Sequence, residues 1–496
     1  MGCRNEGEIV KELKGKGISI SRQEVSRLSR LAVKSFSKTH IENMGEIKKV
    51  IEKNGGYLLH IDGTVDGKYS TIITCYDSLS GIVLYATRID TESYENVKPV
   101  LEKLKNNLGN PLVVMTDLGS QIRSAVSVVF PGVITVVCRY HFLRALGKDI
   151  LDAYYPSLVK HVGNLRIMTK LDRLMKGIEE RVDIKERLGE LKYGYVSSQS
   201  DFYALLAWCV LKDITSYKEG TGYGYPFDLP ILKFVNRCRH WWVRLYDKRL
   251  DGVEIKEALG IIKRVVDSVE ICKLAGMVED IKKLFEMLRN AMGVRDDKTP
   301  MSADEPKDAV ERTHQHCNEV IETMRAYLSV ADMPVHVHTA VKHIIKQYKK
   351  WEKYLFVPDI SIEIEGKKKT IKIPTTNNRL EARFRGMRRL FRKHGGDKEI
   401  GKRVSDIGCE VLLFQNVTNY LYVNQMFGNA DGITQVLRET GDATMVKNGK
   451  IPLKRKEREE AITCLIKMLE NDSIPITPYT DILWSNLDRA NRLLAP

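Results

Sequence analysis

Leu58-Leu59-His60-Ile61-Asp62-Gly63-Thr64 decides how this chain folds. The leucines and isoleucine favour an extended, buried strand, and an aspartate sits inside it. A carboxylate in an apolar strand is costly to desolvate unless a cation meets it. A second stretch, Val113-Val114-Met115-Thr116-Asp117, puts an acid at the end of another apolar run. A third, Thr376-Asn377-Asn378-Arg379-Leu380-Glu381, puts a glutamate in the first turn of an arginine-rich helix. Three such acids on a basic chain point to magnesium and to nucleic-acid phosphodiesters.

Around the first stretch the elements alternate. Residues 57–62, 70–76 and 82–89 are β-rich runs with short polar connections, which suits antiparallel hairpins. Residues 92–108 follow as a helix, with Val97, Val100, Leu101 and Leu104 in phase. A strand at 112–116, a helix at 119–129 and a strand at 133–137 complete the order β-β-β-α-β-α-β. Three antiparallel strands followed by crossover-linked ones give a mixed sheet with helices on its faces, the order of an RNase H-like fold. Residues 146–356 read as a large all-α insertion, and 357–425 complete the core. There, 359–374 reads as a hairpin and 378–393 as a helix with the apolar stripe Leu380, Phe384, Met387 and Phe391. Residues 426–496 are mixed, and the charged run at 454–460 reads as a solvated helix face.

The chain has 496 residues, a formal net charge of +15 and a pI of about 9.2. That balance favours a polyanionic partner. No apolar run approaches the roughly 18 to 20 residues of a membrane span, and the N-terminus lacks a hydrophobic signal core. Nine scattered cysteines without a CxxC pair suit a reducing compartment. A cytoplasmic protein associated with the nucleoid is expected. Residues 1–53 form a basic helical region, with 11 Lys/Arg against 6 Asp/Glu in the first 50. Ser21-Arg22-Gln23-Glu24 is a capping-box signature. The helix it opens carries Val25, Leu28, Leu31 and Ala32 on one face and leaves Arg22, Arg27 and Arg30 outside it. This is the outline of a helix-turn-helix, with an amphipathic hairpin as the plain alternative.

These residues resemble the DDE transposases of prokaryotic insertion sequences, in the wider group related to Mutator-like elements. The resemblance rests on His60-Ile61-Asp62-Gly63-Thr64, Thr116-Asp117, Cys138-Arg139-Tyr140-His141-Phe142-Leu143-Arg144 and Thr376 to Glu381. They match in order over about residues 55–395. The resemblance implies an RNase H-like core with its first acid on strand one, its second after strand four and its third on a late helix. It implies Asp62, Asp117 and Glu381 as catalytic acids and metal ligands. Two Mg²⁺ or Mn²⁺ ions roughly 3.5 to 4 Å apart would stabilise the attacking and leaving oxygens of an in-line displacement. The expected activity is cleavage and strand transfer at the ends of a mobile element. The expected partners are double-stranded terminal repeats and target DNA, engaged by a homo-oligomer. The rival readings are a catalytically silent DNA-binding regulator and an RNase H-like nuclease without strand transfer.

Each acid has a bland alternative. Asp62-Gly63 could be a turn, although Asp66-Gly67 is the better placed one. Asp117 could cap the helix after Gly119. Glu381 could be the capping-box partner of Asn378. Asp77, Asp90, Glu363 and Glu365 are competing acids. Cys138 and His141 form a Cys-x-x-His pair read as a packed structural latch or a DNA contact. Zinc is disfavoured, because no spacing links the pair to His314, His316, Cys317, His336 or His338. Arg379, Arg383, Arg385, Arg388 and Arg389, with Arg392 and Lys393 beyond, make a helix face suited to phosphate backbone. Gly220-Thr221-Gly222-Tyr223-Gly224-Tyr225-Pro226 reads as a structural turn, with DNA contact through its tyrosines as the other option. Trp241 and Trp242 read as core packing, with base stacking as theirs.

Overall fold

The computed structural model describes residues 6–64, 71–192, 196, 198–218, 223–294, 309–395, 408–429, 432–433 and 435. The Asp66-Gly67 turn, residues 219–222 of the glycine-rich loop, the side chains of Arg392 and Lys393, and the 454–460 run lie outside them. The chain divides into two compact units, residues 1–138 with 359–496, and residues 139–358.

The first unit is mixed α/β. Helices α1 (Glu6–Gly15), α2 (Arg22–Glu42) and α3 (Met44–Lys53) precede strands β1 (Leu58–Thr64), β2 (Thr71–Asp77) and β3 (Val83–Ile89). Then come α4 (Tyr94–Leu108), β4 (Val113–Thr116), α5 (Ser120–Val129) and β5 (Ile134–Val137). The sheet order is β3-β2-β1-β4-β5. β1 pairs antiparallel with β2 and parallel with β4; β2–β3 is antiparallel and β4–β5 parallel. Parallel neighbours need crossovers, and α4 and α5 supply them. After residue 358 the hairpin β6 (Ile360–Ile364) and β7 (Lys367–Ile371) leads to α16 (Asn378–Gly395). Helices α17 (Val411–Phe414) and α18 (Tyr420–Phe427) follow. The hairpin turns at Glu365 and Gly366, both at positive φ, as a two-residue turn requires.

Side chains on β1 alternate between two faces. Leu59 and Ile61 enter a core with Phe36, Ile47, Ile73, Leu101, Val114 and Ile122. His60, Asp62 and Thr64 take the other face, all buried. Ile72 and Tyr76 flank that face and join Leu380, Phe384 and Met387 of α16 in a second core. Three consecutive polar side chains on one buried strand face are unusual, because each such group needs a partner. Asn416 meets the exposed edge of β3 by accepting from the Val83 N–H at 2.8 Å and donating to its carbonyl at 2.9 Å.

The N-terminal helices do not stand apart from this core. Ser21 caps α2 as expected, accepting from the Glu24 N–H at 3.1 Å. The buried stripe of α2, however, is Val25, Val33, Phe36 and His40, and Leu28 is 41% exposed. The helix runs on for 21 residues, and its second half, packed on the sheet, sets the face. Met44, Ile47, Val50 and Ile51 of α3 belong to the same core.

The second unit is all α among the described residues, apart from a 3-10 turn after α10. It comprises α6 (Arg139–Leu151), α7 (Tyr155–Asn164), α8 (Met168–Arg181), α9 (Ile184–Lys192) and α10 (Gln199–Thr215). It continues with α11 (Pro230–Leu245), α12 (Val253–Val266), α13 (Val269–Ala291), α14 (Ala309–Tyr327) and α15 (Val335–Leu355). Tyr225 stacks on Tyr155 with ring centroids 5.4 Å apart, and its hydroxyl donates to Asp152. Tyr223 packs on Tyr140 and Phe227. The tyrosines of the glycine-rich loop are therefore packing groups. Among the described residues, no helix is long and apolar enough to cross a membrane.

Two buried histidines give the first unit a pH dependence. His40 bonds the Tyr422 hydroxyl at 2.8 Å and the Leu84 carbonyl at 3.0 Å, and burial pulls its pKa down to about 4. Burial does the same to His60. In the unfolded chain both titrate near about 6.5. Below that pH the unfolded state takes up protons that the fold excludes. Stability is thus full above about pH 6.5 and falls between there and about pH 4. Amide-exchange protection of β1 and β3, corrected for intrinsic rates, should be lower at pH 5 than at pH 7.5. The difference should shrink in His40→Gln; equal protection at both pH values would contradict this.

Candidate functional site

Asp62 is 9% exposed on the central strand. Its neighbour is Asn377, 1% exposed, at the end of the segment leading into α16. Asn377 Nδ2 donates to Asp62 Oδ2 at 3.2 Å. Its Oδ1 accepts from His60 Nδ1 at 2.7 Å, which assigns the His60 proton to Nδ1. Its backbone N–H donates to Cys138 Sγ at 3.3 Å. Its carbonyl accepts from the Glu381 N–H at 3.0 Å. One residue thereby ties two positions of β1 and the end of β5 to the first turn of α16. Glu381 sits one turn into the helix, and it is Asn377, not Asn378, that precedes it. A carboxylate oxygen of Glu381 comes within 4.8 Å of one of Asp62.

Asp117 follows β4. The register pairs His60 with Met115. Continued two residues beyond the last pair, that register would set Asp117, just past the end of β4, level with Asp62 inside β1. Its Oδ1 accepts from the Gly119 N–H at 2.8 Å, closing the turn into α5, whose N-cap is Gly119. Among the described residues, Asp117 stands outside the 4.8 Å grouping that holds Asp62 and Glu381.

A further acid belongs here that the sequence reading did not pick out. Gly63 has no side chain, and a Cβ there would lie 2.0 Å from Glu92 Oε1. Glu92 therefore rests its carboxylate against the strand one residue past Asp62. Burial, and then the nearby charge of Asp117, hold its pKa above the usual carboxylate range. The local signal was the glycine after Asp62, for which the sequence offers a turn only as the alternative to a strand.

One of the competing acids has another duty. Asp77 is fully buried and accepts from the N–H groups of Leu58, Leu79 and Ser80, each at 3.0 Å, so it locks the β2–β3 turn to the start of β1. Asp90, Glu363 and Glu365 are exposed.

The arginines of α16 divide into two groups. Arg379 donates to the Ser78 carbonyl at 2.9 Å, Arg383 to the Gly81 carbonyl at 3.2 Å, and Arg388 to the Thr64 hydroxyl. These three fasten α16 to the sheet. Arg385 and Arg389 are exposed, one turn apart, beside exposed Ala382 and Gly386. In α2, Arg27 is held by both carboxylate oxygens of Glu24, at 2.8 and 2.7 Å. Arg22 lies along α1 at Gly7, and Arg30 is exposed.

The boundary between the two units falls inside the Cys-x-x-His motif. Cys138 closes the first unit, and His141 lies in the first turn of α6. His314 bonds Glu352 at 2.7 Å, His336 bonds Asp280 at 3.1 Å, and burial pushes the Cys317 thiol up to about 12. Compared with known protein families and with curated proteins, the chain matches none.

The Asn377 bridge makes a stability prediction. Asn377→Ala leaves the carboxylate of Asp62 and the ring of His60 buried without this partner, at a cost of about 1 to 3 kcal/mol. Urea unfolding of the first unit should shift accordingly to lower denaturant. A midpoint equal to that of the parent chain would remove the bridge from its structural role.

Proposed function

We propose that this chain is a metal-dependent DNA transposase of the DDE type, built on an RNase H-like sheet with a helical insertion. The observation that carries the reading is the meeting of Asp62 and Glu381, from a central strand and a distant helix, with oxygens within 4.8 Å. The place of Asp117 just past the end of β4, which pairs parallel with β1, supports it, as does the +15 charge of the chain.

The donor set fits a divalent cation. Carboxylate oxygens are the hard ligands that Mg²⁺ or Mn²⁺ prefers, and Asp62 and Glu381 would hold it, with Asp117 completing a second position. When bound, the metal neutralises charge on the attacking and leaving oxygens. The remaining work falls to the chain. Asn377 orients Asp62 from one side through its side-chain amide. Glu92 and Asp117 keep the mouth of the sheet negative, so a cation is needed before a phosphate can approach. In hydrolysis a water oxygen bonds to phosphorus, the P–O3′ bond breaks, and the 3′ oxygen leaves with a proton. In strand transfer that 3′ hydroxyl attacks a target phosphodiester in the same way. The partners are double-stranded element ends and target DNA, engaged by several copies at the nucleoid.

Asp62→Asn and Glu381→Gln keep shape and remove charge. Each should lower Mg²⁺-dependent cleavage of element-end DNA by at least about 100-fold, since each withdraws a ligand from the charged centre. End binding should stay near the parent value. Cleavage within a few fold of the parent for Glu381→Gln would end this assignment, and cleavage without joining of cut ends would mark a nuclease.

Arg385→Gln with Arg389→Gln should weaken binding to all duplexes alike. The slope of log affinity against log salt should become shallower by up to about two. Arg379→Gln with Arg383→Gln should act instead on stability, lowering the urea midpoint by the equivalent of about 1 to 3 kcal/mol. Salt titrations of the first pair that overlay the parent would exclude these arginines from the DNA surface.

A further inference from the structure

Helix α11 carries aromatic groups that the catalytic reading does not use. Its buried face is Leu232, Phe234, Val235 and Cys238. Trp241 is committed to the unit itself, donating from Nε1 to Asp213 Oδ2 at 2.8 Å. Trp242 is different. It stacks with Tyr246, ring centroids 6.0 Å apart and planes 23° from parallel. Lys263 of α12 lies over the Trp242 ring at 5.7 Å. Tyr246 is 60% exposed and Val243, between them, is 68% exposed. The pair thus forms a supported aromatic step at the end of a helix, with the tyrosine outermost.

The charges around it are unbalanced in one direction. Asp247 is paired with Lys248 at 3.7 Å, Asp251 with Lys256 at 3.3 Å, Asp267 with Lys263, and Glu254 with Arg181. Arg244 and Arg249 are exposed and have no such partner among the described residues. An aromatic ring backed by a second ring, with two exposed guanidinium groups within three residues of it along the chain, fits a flat group carried on a phosphate backbone. Duplex DNA hides its base faces in the stack, so the fit is to unpaired bases. We propose that the Trp242–Tyr246 step is a binding site for single-stranded nucleic acid. One base stacks on Tyr246, and Arg244 and Arg249 hold the flanking phosphates. The site lies wholly within the helical unit and does not rest on the acids of the sheet.

The test uses the full chain and a fluorescently labelled oligothymidylate, read by anisotropy against a duplex of equal length. Tyr246→Ala should weaken single-strand binding about 10-fold, in line with the loss of one stacked base. Tyr246→Phe should keep parent affinity, since the ring and not the hydroxyl does the stacking. Both variants should bind the duplex like the parent. Arg244→Gln with Arg249→Gln should make the single-strand salt slope shallower by about one to two. Single-strand affinity unchanged in Tyr246→Ala would overturn the proposal. So would an equal loss for single strand and duplex, which would make the step a general phosphate-binding surface.

Discussion

The first unit depends on the side chain of Asn377. A buried amide must place both its donor and its acceptor, and here each goes to a different residue of the central strand. The backbone of the same residue reaches Cys138 and starts α16. Burying Asp62 and His60 costs both of them water, and the two bonds from Asn377 offset part of that cost. The apolar side of α16, Leu380, Phe384 and Met387, supplies the burial. The bridge decides where along the strand that helix begins, and hence where Glu381 falls.

The acids and arginines of this unit express the same division between holding and acting. Asp77 is surrounded by donors and closes a turn. Asp62 and Glu381 bring carboxylate oxygens together, and beside them burial and the charge of Asp117 raise the pKa of Glu92. Along α16, guanidinium groups that bond to Ser78, Gly81 and Thr64 are fasteners, whereas Arg385 and Arg389 look outward. A basic helix read only by composition merges these classes. Their separation depends on which turn faces the sheet.

Much of the fold is legible in the residues. Runs of β-branched and aromatic residues mark all five strands to within a residue or two, and in-phase apolar residues mark α4, α5 and α16. The hairpin over residues 359–374 is readable as well, although its turn at Glu365-Gly366 is not. What stayed hidden depends on tertiary packing. The stripe on α2 is set by a sheet core that its own periodicity does not reveal, so Leu28 emerges exposed and Phe36 buried. Glu92 precedes its helix with no periodic cue, and only its placement against Gly63 brings it to the acids. The Trp241–Trp242 pair looks uniform in sequence, yet one indole is anchored and the other is stacked outward on Tyr246. Asn377 was visible as part of a motif; its bonds were not.

The central claim is that Asp62 and Glu381 together hold a divalent cation. The most direct measurement is a Mn²⁺ titration of the full chain, following the electron paramagnetic resonance signal of the free ion. The account predicts saturable binding that Mg²⁺ displaces and that is lost when Asp62→Asn and Glu381→Gln are combined. Identical Mn²⁺ uptake by the parent and the double variant would contradict it.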